Sequence, residues 1–113
     1  TQSRPVFGAL SPQSLSDSQA VLTDLEAQVR RTPRDAAAWH RRGMVAWVLA
    51  EHGRRDRSTD RRELLRMQDV ADSSLRIAVQ LAPDSAHYQL AMGRFYGEVP
   101  GRSTRLTADT YLA

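Results

Sequence analysis

Residues 75–93 read LRIAVQLAPDSAHYQLAMG, and residues 25–43 read LEAQVRRTPRDAAAWHRRG. Laid over one another, fifty positions apart, they agree at Leu25 and Leu75, Val29 and Val79, Pro33 and Pro83, Ala36 and Ala86, and Gly43 and Gly93. The agreements fall on residue types that set helix ends and close contacts. Proline cannot donate a backbone hydrogen bond, and its ring crowds the turn before it, so it ends a helix. Glycine inside a helix admits a neighbouring helix that a side chain would hold off. The chain carries an internal helical repeat.

Working outward, Val21 (or Leu22), Leu25 and Val29 recur at the three-to-four spacing of one buried helix face. Ser16 and Gln19 form a capping box, so this first helix is expected to begin near Ser16 and to end at Pro33. Before it, Pro5, Gly8 and Pro12 mark residues 1–15 as an extended leader or linker, with Val6, Phe7 and Leu10 able to dock on a neighbouring surface. Asp35 is expected to cap a second helix running to about Ala50, with Trp39, Gly43, Ala46, Trp47 and Ala50 on one side. Met44, Val45, Val48 and Leu49 make its second half apolar nearly all round, so it should pack on both sides. Gly53 is expected to close it, followed by an insertion loop over 52–60.

A third helix should start at Asp60, capped with Glu63, and run to about Leu81. Leu64, Met67, Ala71, Leu75, Ala78 and Ala82 follow one face of it. A fourth covers about Ser85–Tyr96. Leu106, Thr110 and Ala113 suggest a fifth from Ser103. No stretch alternates as a strand does, so the expected fold is all-α, with residues 16–113 forming one helical domain.

Composition narrows the function. All 16 basic residues are arginine, and 13 acidic residues leave a net charge of +3, too slight to indicate nucleic acid. Lysine and asparagine are absent and isoleucine occurs once, the codon bias of a GC-rich and so bacterial genome. Without cysteine the chain has no disulfide and no thiolate metal site. No apolar run approaches the roughly 18 residues of a membrane span. No signal-peptide pattern and no initiator Met are present, so a processed or trimmed amino terminus is expected; the compartment, cytoplasmic or exported, stays open. Sequences such as HExxH, GxSxG and a Gly-rich phosphate loop are missing, and no enzyme activity, metal or cofactor is expected.

The repeat resembles the tetratricopeptide repeat (TPR), a helix–turn–helix of about 34 residues. Trp39, Gly43, Ala71, Leu75, Ala78 and Pro83 fall on that family's pattern, and Ala86, Met92, Gly93 and Tyr96 open a second match. Leu25–Pro33 is similar to the closing helix of a preceding unit. Two positions depart from the pattern: Arg42 stands where leucine is usual, and Gln89 where tryptophan is. The period exceeds the family's by about 16 residues, an insertion that falls between the two helices of the central unit. A weaker likeness, through the Arg-Arg-Glu-Leu-Leu run at 61–65, is to the repeat segments of bacterial GWxTD-domain proteins. The resemblance implies antiparallel helix pairs stacked as a solenoid. Gly43 and Gly93 would lie at the closest crossings, with Trp39, Leu75 and Tyr96 filling the space between.

The resemblance also implies a function: scaffold or adaptor binding of a peptide or helix on the concave face. By register that face takes Ala37, His40, Met44 and Trp47 from one unit, and His87, Leu90 and Arg94 from the next. Met44 and Trp47 at helical spacing equally suit a core, so both readings stay open for them. The alternative site is the Arg-rich insertion, where Arg54, Arg55 and Arg57 would take an acidic ligand or nucleic acid. Leu106, Tyr111 and Leu112 make an apolar carboxyl end, expected of a piece of a larger chain or of one that pairs with a copy of itself.

Overall fold

The computed structural model describes residues 10–99, and within them the chain forms four helices and no strand. These are α1 (Pro12–Arg31), α2 (Ala36–Arg55), α3 (Arg61–Leu81) and α4 (Ala86–Glu98). The fifth helix expected from Ser103, and with it Leu106, Tyr111 and Leu112, lies outside the described residues.

Helix α1 begins one turn earlier than its expected start near Ser16. Ser11 is the cap, its hydroxyl accepting from the Ser14 amide at 3.1 Å, and Pro12 sits in the first turn. Proline breaks a helix interior, yet it suits the first position, where its missing N–H would have no partner. Residues 12–15, expected to be extended, are therefore helical. A second correction concerns Gly53. Helix α2 runs past it to Arg55, so His52–Arg55 are helical and the loop shrinks to Asp56–Asp60. Gly53 is buried, and a Cβ there would lie 3.1 Å from Thr59 Cγ2. The loop folding back over the helix, rather than a helix stop, accounts for the missing side chain. Asp60 caps α3 as expected, but through the Arg62 amide at 3.1 Å, while Glu63 turns to Arg66 instead of closing a capping box.

The extra residues of the long period are thus mostly helix. Helix α2 has 20 residues against 13 in α4, and α3 has 21.

The repeat is legible in the turns. Thr32 ends α1 at φ −131°, ψ 72°, and Ala82 ends α3 at φ −136°, ψ 71°. Asp35 and Ser85, the next caps, accept from the Ala38 and Tyr88 amides. The Trp39 indole N–H donates to the Pro33 carbonyl at 2.8 Å, and the Gln89 amide donates to the Pro83 carbonyl in the same way. Gln89, fifty positions after Trp39, preserves the bond while losing the ring.

Consecutive helices pack in series. Gly43 faces Leu75 at one end of the α2–α3 pair, and Gly53 faces Leu64 at the other, so the two run antiparallel. Leu10 meets His52 and Gln28 meets Asp35 at opposite ends of the α1–α2 pair, which is antiparallel as well. Between α2 and α3, Ala46, Ala71 and Ala78 are fully buried and let the backbones approach. A Cβ on Gly43 would stand 2.8 Å from two Leu75 side-chain carbons and 3.2 Å from its backbone nitrogen. Gly93 does not repeat this. No described atom lies within 4 Å of a Cβ placed there, and the residue is exposed. Helix α3 supplies a partner for Gly43, whereas no described helix packs on that side of α4. Leu75 and Tyr96 are buried as expected; Trp39 is only half-buried, its ring lying under the Arg42 guanidinium at 5.6 Å.

Candidate partner-binding face

Helices α2 and α4 are not consecutive, yet they lie side by side and run in the same direction. His40 and His87 rings are 4.8 Å apart near their amino ends, and Trp47 and Phe95 meet edge to face at 5.4 Å further along. Aromatic contacts of this geometry add modestly to the burial energy and fix the two helices in register. Tyr88 joins the first cluster, its ring 4.9 Å from His40. Burial pushes the His40 imidazole below its ordinary pKa, and the neighbouring His87 adds to the effect. The His40 Nε2 atom is buried with no hydrogen-bond partner.

Toward the carboxyl end of α2 the face opens into a hollow of about 370 Å³. Leu10, Met44, Trp47 and Val48 form its apolar surface, and Glu51, Arg54, Arg55 and Glu98 its rim. Met44 and Trp47 pack against the core on one side and border this hollow on the other, so each serves core and surface together. Leu10 reaches the same place from before α1. Its backbone N–H donates to His52 Nδ1 at 3.0 Å.

The structure brings some of the residues singled out from the sequence together. His40 and His87 touch; Met44 and Trp47 line the hollow; Leu90 is 56% exposed. Arg94 is exposed, one turn before the rim residue Glu98. Arg54 and Arg55, assigned from the sequence to a separate insertion site, stand at the rim of this same hollow, because α2 continues past Gly53. Arg57 alone remains in the loop. Sequence reading missed Val48, Glu51 and Glu98. The signal was available for α2: Met44, Val48, Glu51 and Arg55 follow one another at alternating four- and three-residue steps.

Two other polar groupings are structural. The Tyr96 hydroxyl donates to Asp72 at 2.6 Å, and Arg76 donates to both, pinning α3 to α4. Burial, and then the bond to Asp72, raise the Tyr96 pKa. A cleft of about 500 Å³ between α1 and α3 is rimmed by Glu26, Asp56, Asp60 and Glu63. Asp56 holds the loop through Ser58, Asp60 caps α3 and Glu63 pairs with Arg66, so three of the four carboxylates are already employed. Among the described residues no group of three or more His, Asp or Glu is placed to hold a metal ion. No described helix is long and apolar enough to cross a membrane.

No family model, curated protein or solved structure matches the chain.

Proposed function

We propose that this chain is a protein-binding module of the TPR kind, an adaptor that takes a peptide or a helix on the face shared by α2 and α4. The observation that carries the reading is the parallel pairing of α2 and α4, with Trp47 set edge-on to Phe95 beside an open apolar hollow. Parallel first helices backed by antiparallel partners leave a continuous face between them, and apolar faces of this type receive helices or extended peptides. The twin turns, with their matched dihedral angles and side chain-to-carbonyl bonds, support the view that α1–α2 and α3–α4 are junctions of one repeating unit.

Panning a random peptide library against the full chain tests this reading. Peptides that bind should lose affinity about tenfold or more, or about 1.4 kcal/mol, against a His40→Ala, Arg94→Ala double variant. Both side chains are polar and sit on the face, and the variant should melt within a few degrees of the parent. Peptides that bind parent and variant equally would place the binding surface elsewhere.

A further inference from the structure

We infer that the hollow at the carboxyl end of α2 receives a protein segment in which a large apolar side chain is flanked by acidic residues. The inference rests on the groove reading above and names its ligand class. Its basis is a juxtaposition that depends on the length of α2. The helix carries Arg54 and Arg55 past Gly53 to the rim of a hollow whose surface is Leu10, Met44, Trp47 and Val48. The volume, about 370 Å³, has room for one or two large side chains and lies at the small end of ligand pockets.

Charge complementarity selects the flanking residues. Arg54 already donates to Glu51 at 2.8 and 3.1 Å, which holds its guanidinium at the rim. Arg55 is exposed and has no ion-pair partner among the described residues. A guanidinium fork matches a carboxylate in two parallel bonds, and beside an apolar floor that pairing is less screened than in open water. Arg94 adds a further exposed cation along the face. Glu98 stands on the rim as well, and its repulsion places an incoming carboxylate on the arginine side. Lysine or arginine flanks would meet the Arg55 guanidinium, and the Glu51 carboxylate that could answer them is already held by Arg54.

The test uses the full chain in a Trp39→Gln background, which keeps a donor for the Pro33 carbonyl as Gln89 does for Pro83 and leaves Trp47 as the sole tryptophan. The probes are two capped peptides of about nine residues with the same central Leu and Phe, one flanked by glutamates and the other by lysines. Titration followed by Trp47 emission should show the glutamate peptide binding about tenfold or more tightly than the lysine peptide. Changing Arg54 and Arg55 to Gln should erase that preference, while circular dichroism shows the helices intact. Equal affinities for the two peptides would overturn this proposal and leave the groove reading standing. An unmoved Trp47 emission with either peptide would overturn both. Tighter binding of laurate than of either peptide would replace the protein segment with a fatty acid.

Discussion

Gly43 and Gly93 occupy the same place in the repeat and have opposite surroundings. At Gly43 a side chain would drive into Leu75; at Gly93 it would meet no described atom. The glycine marks where a second helix crosses, and its physical meaning is supplied by that helix. Gly53 falls between the two, closed over by Thr59 in a loop that has room to give. A single residue type thus has three different environments in 90 described residues, and substitution should grade them.

The largest effect is expected from Gly43→Leu, about 3 kcal/mol of stability or more, because overpacking here forces apart two backbones lined with alanine. Gly53→Leu should cost less than Gly43→Leu, and Gly93→Leu should stay within about 0.5 kcal/mol of the parent in thermal or urea unfolding. A loss at Gly93 as large as that at Gly43 would break the comparison.

The next effect compares the two junctions of the repeat. Where α3 meets α4, Asp72 and Tyr96 form a buried polar contact; the corresponding positions at α1 and α2 are Leu22 and Ala46, both buried. Tyr96→Phe should cost about 1–3 kcal/mol, since it removes a donor from a buried carboxylate. Adding Asp72→Leu, the residue type that α1 uses, should recover most of the loss, because the buried carboxylate is then removed together with the donor it had lost. Failure to recover would mean that Arg76, which donates to both groups, depends on Asp72 for its own place.

A smaller effect concerns acid. His40 in the folded chain has its pKa lowered by burial and by His87, whereas in the unfolded chain it titrates near 6.5. The unfolded state therefore binds the proton first. The stability tied to neutral His40 is complete above about pH 6.5 and falls as pH drops from there toward the lowered folded value. Urea unfolding between pH 7.5 and 5 should show this slope, and His40→Ala should flatten it. An unchanged slope in the variant would assign the acid sensitivity to other groups.

The smallest effect is kinetic and compares loops. Trp39 and Gln89 tie down the turns Thr32–Asp35 and Ala82–Ser85, whereas Asp56–Asp60 is held chiefly by Asp56 bonding its own neighbours. Brief trypsin digestion should cut after Arg57 before it cuts after Arg34. The reverse order, read by mass spectrometry, would mean that the tied turns open more readily than the loop.

The central pair α2–α3 was legible in the sequence because Gly43, Ala71, Leu75 and Ala78 report a contact that both helices must satisfy. The ends of the helices were less legible. Pro12 and Gly53 are residues whose local preference points to a break, and tertiary position decided otherwise: a first turn suited one, an overlying loop the other. The candidate site inherited that error. With α2 stopped near Ala50, the arginines of the insertion belonged to a loop of their own. Only the five further residues of helix, 51–55, bring Arg54 and Arg55 to the hollow beside Trp47. The parallel setting of α2 and α4 follows from a third helix between them and could be reached from sequence only by way of the family resemblance.

The bond from residue 39 or 89 to a proline carbonyl has a consequence for how such a chain can change over evolutionary time. The acceptor belongs to the backbone, so no substitution removes it. The donor has to reach back six positions from the next helix, and an indole and a primary amide both manage it. A hinge built this way constrains chemistry loosely and geometry tightly. The two turns differ at this site, aromatic in one and polar in the other, while the residue that ends each preceding helix keeps nearly the same backbone dihedral angles.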